Sequence, residues 1–307
     1  MAGKRVGRWR VAALQMTSTG AVDRNVRAAE GLIREAAAGG ARLVALPENF
    51  AYLRSEESKL HFSTTLDGDL VGSLRALARE LGIHLLLGSI PEAIPRSRRV
   101  HNTSVLVDPR GDLVAVYRKL HLFDVSIPGK VSLRESQHVA PGSRPVLATT
   151  PLGRFGLSIC YDLRFPELYR WLALHGAQVL FVPAAFTAYT GPFHWLPLLR
   201  ARAIENQCWV VAPAQVGRHS RDRQSHGETV VVDPWGEVVA RKARGCGVVS
   251  AEIDLGRLDR VRRGLPCLAH VSRTFRPLLG GRSRSGPQPR GARQRPRGKG
   301  GGSHGVA

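Results

Sequence analysis

Two octapeptides, DPRGDLVA at residues 108–115 and DPWGEVVA at residues 233–240, share an Asp, a Pro, a Gly, an acid, a Val and an Ala at matching places. Each is a turn group between strand-like runs: Thr103 to Asp108 and Asp112 to Tyr117 flank the first, and Glu228 to Val232 and Glu237 to Ala240 flank the second. Each hairpin also closes a block of β-α-β elements. In the first block, Trp9 to Met16 alternates as a strand. Val26, Ala29, Leu32, Ile33 and Ala36 share one face of a helix from Asp23 to Ala38, with Asp23 as N-cap and Gly39-Gly40 as the stop. Leu43 to Leu46 reads as a short buried strand, Leu70 to Leu81 as a helix ended by Gly82, and Ile83 to Ile90 as the next strand. The second block follows the same order: an apolar run reaching Cys160, a helix from Pro166 to His175, a strand from Ala177 to Val182, a helix from His194 or Trp195 to Glu205, and a strand from Cys208 to Ala212. A strand from Gly247 to Ile253 and a helix from Leu255 to Arg263 complete the body. The repetition predicts an α/β fold of two similar sheets packed face to face with helices outside. A chance echo of a common turn is the competing account, and two copies do not separate the two.

A chain of 307 residues, 43% hydrophobic, can bury a full core. No apolar run approaches the roughly 20 residues of a membrane span, and Val11 to Leu14 is too short for a secretory signal, which predicts a cytoplasmic protein. Cys160, Cys208, Cys246 and Cys267 are too scattered for a zinc site or a disulfide framework. The formal charge is +21, of which eight Arg and one Lys without any acid carry +9 between Val271 and Ala307, leaving +12 for residues 1–270. That tail is nearly devoid of apolar residues after Leu279, so disorder is expected from about Arg282. The expected division is an extension over residues 1–8, one domain over 9–275 and a basic tail over 276–307.

Cys160 ends its strand at a polar turn, with Pro166 opening the next helix, and open α/β sheets place their sites at such strand ends. Taken alone, a cysteine there is more often inert packing. A reactive one needs a base or a positive neighbour. His121, His138, His175, His194, His219 and His226 show no diagnostic arrangement. Glu48 and Lys119, however, also follow strands, Leu43–Leu46 and Asp112–Tyr117, and strand ends of one sandwich can converge. For either residue in isolation, a solvated surface charge is the ordinary account.

Leu46-Pro47-Glu48-Asn49, the run from Tyr117 to Asp124 (YRKLHLFD) and the run from Ser158 to Leu168 (SICYDLRFPEL) resemble the three catalytic motifs of the nitrilase superfamily of carbon–nitrogen hydrolases. The resemblance covers roughly Arg10 to His270 and implies a four-layer α-β-β-α sandwich of two mixed sheets with a Glu-Lys-Cys triad. By that resemblance Cys160 is the nucleophile, Glu48 the general base and Lys119 the holder of the oxyanion, with backbone N–H groups near Cys160 and Tyr161. The base role asks for a raised Glu48 pKa, obtainable by desolvation. Arg134-Glu135-Ser136 followed by Pro141-Gly142 matches a further family position, so Glu135 would orient substrate or Lys119. No metal, nucleotide or flavin site is visible, and the implied mechanism requires no cofactor.

True nitrilases tend to carry Trp-Glu after the nucleophile, whereas Tyr161-Asp162 here implies an amidase. Ala185-Phe186, Thr190 to Trp195 and Leu199 to Cys208 are similar to the branch that includes deaminated glutathione amidase and omega-amidase, and Ala214 to His219 leans towards the former. Such a substrate needs a cationic clamp for a carboxylate. Arg164 is the candidate, with a salt bridge to Glu167 as its structural alternative. Tyr161, Phe186 and Thr190 complete the expected substrate-binding set. Leu196-Pro197 departs from the branch, which commonly has Glu after His-Trp, as does the acid in His226-Gly227-Glu228. The resemblance also implies a homodimer. The alternatives are an omega-amidase of α-keto-acid amides, an N-carbamoyl amine hydrolase and, from another class, nucleic-acid binding through the basic tail, which would be steeply salt-dependent.

Overall fold

The computed structural model describes residues 7–129, 131–272 and 274–275; the tail beyond them and the first six residues of the expected extension lie outside the described residues. The first block runs β1 (Arg8–Met16), α1 (Val22–Ala38), β2 (Leu43–Ala45), α2 (Asp69–Leu81), β3 (His84–Ala93), β4 (Val100–Val107) and β5 (Leu113–Arg118). β1, β2 and β3 pair in parallel, and β4 and β5 continue the sheet antiparallel. Next come a small hairpin, β6 (Asp124–Ile127) with β7 (Val131–Arg134), then β8 (Val146–Thr150), β9 (Gly153–Leu157), α3 (Pro166–Leu174), β10 (Val179–Phe181) and α4 (Gly191–Asn206). β11 (Trp209–Ala212), β12 (Ala214–Arg218), β13 (Gln224–His226), β14 (Thr229–Val232), β15 (Val238–Lys242), β16 (Gly247–Asp254) and α5 (Leu255–Gly264) follow. In the second sheet β9, β10 and β11 are parallel while β14 and β15 are antiparallel, the same succession as in the first.

The two hairpins match bond for bond. Asp108 Oδ1 accepts from the N–H groups of Arg110 and Asp112 at 2.8 and 3.0 Å, and Asp233 Oδ1 accepts from those of Trp235 and Glu237, both at 2.9 Å. Gly111 and Gly236 donate to the Asp carbonyls from left-handed backbone that favours glycine, with φ of +81° and +91°. Each hairpin carries a register shift one step before its turn, between Leu106 and Val107 and between Val231 and Val232. The echo in the sequence is therefore a structural repeat.

Alternation along β1 shows how the layers form. Trp9, Val11 and Ala13 join the core between the sheets with Leu43, Phe155 and Leu157, while Ala12, Leu14 and Met16 meet Ile33 and Ala36 of α1 and Leu74 of α2. On the far side, Leu168 and Leu172 of α3 and Trp195 and Leu199 of α4 cover the second sheet. The α-β-β-α layering implied by the resemblance is present. No helix among the described residues is long and apolar enough to cross a membrane.

Several local expectations needed correction. Asp23 lies inside the first turn of α1; the cap position is Ala21, and the Asn25 side chain fixes the entry by bonding the Thr19 backbone. α4 starts at Gly191, earlier than its apolar spacing suggested, because Pro192 suits a first turn. Pro197 sits inside α4 on an exposed face, where water can take the carbonyl its missing N–H leaves free. Two hairpins have no counterpart in the sequence reading, β6–β7 between the two blocks and β12–β13 after β11. Both hairpins are short and half-exposed, so neither has a long apolar signature.

A close approach of two backbones fixes the path of the chain after β2. Gly88 of β3 packs against that segment, so that a Cβ there would stand 2.1 and 2.2 Å from the carbonyl oxygens of Pro47 and Leu46. Gly88→Ala is expected to lower the unfolding free energy by about 1–3 kcal/mol in chemical denaturation, since two backbones must move apart.

Candidate active site

Three strand ends deliver three side chains to one place. β2 continues through Leu46, whose N–H bonds the Leu86 carbonyl at 2.9 Å, and then turns at Asn49, with φ +55°, to aim Glu48 inward. β5 hands over to Lys119, whose N–H bonds the Asn102 carbonyl at 2.9 Å. β9 continues through Ser158 to Cys160, which adopts φ +48° at the start of a short helical turn over Cys160–Arg164. Positive φ in a non-glycine residue is strained and has to be held by its surroundings.

Asp162 provides that hold. It is fully buried and accepts from Ile159 N–H at 2.8 Å, Tyr117 Oη at 2.6 Å, and His121 through N–H at 3.1 Å and Nδ1 at 2.8 Å. His121 is stacked on Phe165 with ring centroids 3.7 Å apart. The turn carrying the cysteine is thereby bolted to the end of the strand carrying Lys119. Sequence reading used Asp162 only to separate subclasses and missed this role, although its place two residues after Cys160 was a usable signal.

Glu48, Lys119 and Glu135 are 3%, 2% and 3% exposed. Lys119 Nζ donates to Glu48 Oε1 at 3.1 Å and to both oxygens of Glu135, at 3.2 and 2.9 Å. Asn102 Nδ2 bridges the two carboxylates at 2.9 and 3.2 Å, Ala185 N–H donates to Glu48 Oε2 at 2.8 Å, and Phe123 N–H donates to Glu135 Oε2 at 2.7 Å. Asn102 of β4 lies in no quoted motif, and Ala185, quoted only for the branch resemblance, donates through its backbone N–H, so only folding reveals either bond. The Cys160 thiol donates to the Glu48 carboxylate and also meets Ala185 N–H. Its own N–H is spent on the Pro183 carbonyl at 2.9 Å, so it is not a donor for a bound oxyanion.

The charges follow from this arrangement. Burial pushes the Glu48 carboxyl up, but Lys119, then Lys59, with hydrogen bonds from Cys160 and Lys119, outweigh it and hold the group below its ordinary 4.5. The raised value asked for by the base role is not found, because two buried ammonium groups lie near a carboxyl that sequence reading supplied with one. Burial, then the Glu48 charge, pushes the Cys160 thiol well above 9.0, with Lys119 only partly compensating. Burial pulls Lys119 down, yet Glu135 and Glu48 carry it well above 10.5. Near neutral pH the centre is a carboxylate, an ammonium and a neutral thiol beside the carboxylate. Such a set suits general-base activation of a sulfur nucleophile.

A cavity of about 990 Å³ opens over Cys160. Its lining includes Tyr161, Arg164, Phe186 and Thr190, so the structure brings all four expected substrate-binding residues together beside Glu48, Lys119 and Glu135. Arg164 lies over the rings of Phe186 and Tyr161, at 4.9 and 5.9 Å, and bonds His194 Nδ1 at 3.1 Å rather than pairing with Glu167. Arg54, Arg134 and Arg221 add exposed cations to the wall. Leu196 and Pro197 line a separate depression with His226, Glu228 and Arg241. Glu228 is buried and paired there with His226 at 3.0 Å and Arg241 at 2.5 Å. Both departures from the family pattern thus fall outside the Cys160 cavity.

The family profile described as "Carbon-nitrogen hydrolase" matches residues 10–263. The chain is 46% identical over 262 residues to the deaminated glutathione amidase of Synechocystis sp., covering 84% of this chain and 96% of that one. The crystal structure of the Caenorhabditis elegans NitFhit protein superposes with a TM-score of 0.83 at 43% identity, covering 87% of this chain and 66% of that fusion protein. A mutant of the amidase from Nesterenkonia sp. AN1, with the acetamide moiety of fluoroacetamide added covalently at its active-site cysteine, superposes with a TM-score of 0.70 at 26% identity, covering 84% of this chain and 95% of that one.

Alkylation of Cys160 by a neutral haloacetamide reads this geometry without any substrate. A simple thiol reacts about tenfold faster per pH unit below its pKa. With Glu48 as built-in acceptor, the Cys160 rate is expected to stay flat through neutrality. It should fall only as pH drops through the Glu48 value below 4.5, where the carboxylate takes a proton. Glu48→Gln should lower the neutral rate by about 10²-fold or more.

Proposed function

Because this chain belongs to the carbon–nitrogen hydrolase family and is a cysteine-dependent amidase, we propose that Cys160, Glu48, Lys119 and Glu135 hydrolyse a small carboxylate-bearing amide of the deaminated glutathione type. Convergence of the Cys160 thiol, the Glu48 carboxylate and the Lys119 ammonium beneath an arginine-lined cavity carries this reading.

As Cys160 Sγ bonds the amide carbon, its proton passes to Glu48 and the carbonyl oxygen becomes an oxyanion. Lys119 Nζ, and the N–H of Tyr161, are the groups left to hold that charge. Glu48 then returns the proton to the leaving nitrogen, the C–N bond breaks, and ammonia or an amine departs from a thioester. Water enters, gives a proton to Glu48 and bonds the same carbon. Collapse of this second intermediate breaks the C–S bond, frees the acid and returns the proton to sulfur. Glu135 does not touch the reacting atoms in this cycle; bonding Lys119 Nζ with both oxygens, it aims the ammonium. The covalent acetamide on the cysteine of the Nesterenkonia amidase supports the attacking role given to Cys160.

Specificity falls to the wall. Arg164, backed by Phe186 and Tyr161, presents a guanidinium for a substrate carboxylate, and Thr190 bounds the same side. Four free cysteines, one of them the nucleophile, suit a reducing compartment, the cytoplasm. The working unit is a homodimer, as the resemblance implies, and sedimentation measures it.

Cys160→Ala is expected to abolish release of ammonia or amine across a panel of deaminated glutathione, α-keto-acid ω-amides, N-carbamoyl amines and nitriles, with the thermal melt retained. Deaminated glutathione should have the highest kcat/KM. Full turnover by the Cys160→Ala protein would sink the reading. Arg164→Ala should raise KM for carboxylate-bearing amides by about 10- to 100-fold, the worth of one hydrogen-bonded charge pair, with little change for a neutral amide.

A further inference from the structure

Lys59 has no task in the reaction cycle, yet its side chain is only 3% exposed. It lies in a short turn, Glu57–Lys59, between β2 and α2. Burying an ammonium costs several kcal/mol unless it is paired. Its Nζ is 2.6 Å from Glu56 Oε2 and 3.9 Å from Glu135 Oε1. Glu56 also accepts from Arg223 Nη1 at 2.6 Å, and the same nitrogen donates to the Arg54 carbonyl at 3.3 Å. Arg223, Glu56, Lys59, Glu135, Lys119 and Glu48 therefore alternate in sign from the cavity wall inward to Cys160. Ser58 and His61 line the cavity on either side of Lys59, but Lys59 itself does not.

We propose that Lys59 is a positioning residue of this centre: anchored to Arg223 through Glu56, it holds Glu135 from behind and so fixes Lys119 against Glu48 and Cys160. The proposal rests on the amidase reading, whose oxyanion it helps to explain. Glu48, Lys119 and Glu135 together carry one net negative charge, which opposes building another on the substrate oxygen. Lys59, with Arg223 balancing Glu56, brings the whole six-membered chain to zero before the reaction begins. Lys59 sits behind the carboxylates, so it supplies this charge without occupying substrate space.

The charged groups facing Glu48 are Lys119 from the end of β5, Cys160 from the turn after β9, Lys59 from the β2–α2 connection, and, further out, Glu135 and Arg223. After Lys119, Lys59 is the largest influence holding the Glu48 carboxyl down. Removing its charge should move the acid limb of the Glu48-dependent rate to higher pH.

Lys59→Met and Lys59→Gln test this, the second keeping a donor for Glu56; Lys59→Arg is the conservative control. Both uncharged variants are expected to fold, to lose about tenfold in kcat and to keep KM within about twofold, with the acid limb of kcat/KM shifted upward and Lys59→Arg restoring most of the rate. Wild-type kcat with an unmoved acid limb overturns the proposal. A rise in KM at constant kcat does so as well, because it would make Lys59 a substrate contact. If neither uncharged variant folds, the role is structural and the proposal falls. The pH profile of Cys160 alkylation, run on the same proteins, keeps two failures apart. Wild-type protein that hydrolyses no amide refutes the amidase reading, while the alkylation limb still shows whether Lys59 acts on Glu48.

Discussion

Four ionisable side chains, Glu48, Glu135, Lys119 and Lys59, are almost wholly removed from water in this protein, and each is tolerable because an opposite charge stands beside it, Glu56 being the nearest partner of Lys59. Breaking one member of such a set leaves an uncompensated charge in a low-dielectric interior. The surrounding structure meets that constraint with fixed donors: Asn102 between the carboxylates, Ala185 N–H on one and Phe123 N–H on the other. The positive charges also decide the protonation state of Glu48. They hold it ionised, while burial and the Glu48 charge keep the sulfur a thiol against the pull of Lys119, so the centre at rest pairs a carboxylate base with a neutral thiol.

The pseudo-symmetric sandwich makes this convergence possible. Parallel strands with their helices outside leave the strand ends free, and two such sheets packed face to face bring those ends together from both sides. Glu48 and Lys119 come from the first sheet and Cys160 from the second. Asp162 ties them across the interface, taking bonds from Tyr117 of β5 and from the turn that carries the cysteine. The strain of the positive φ at Cys160 is held by a buried carboxylate with four donors rather than by the strand itself.

The departures from the family pattern have a physical reading as well. Leu196 and Pro197 lie on a partly exposed side of α4, and Glu228 satisfies itself with His226 and Arg241, while its carbonyl accepts from Trp195 Nε1 at 2.8 Å. The loss of a carboxylate at Leu196 and the gain of one at Glu228 therefore alter the flank of the helix without entering the Cys160 cavity.

Sequence alone determined the layers, because alternation along strands and one-sided helices depend on neighbours close in the chain, and because the Asp-Pro-x-Gly-acid turns carry their hydrogen bonds within five residues. It also singled out Glu48, Lys119 and Cys160 at strand ends, and Glu135 through the family resemblance, as the residues to look for, and the fold brings these four side chains together. Tertiary structure alone decided how those groups are charged. Lys59 joins the cluster from a turn with no motif, Asn102 from β4, Ala185 through its backbone N–H in the chain after β10, and Arg223 from a hairpin too short to read. Electrostatic energy depends on distances through space, and residues 54 to 223 become neighbours only when the two sheets close on each other.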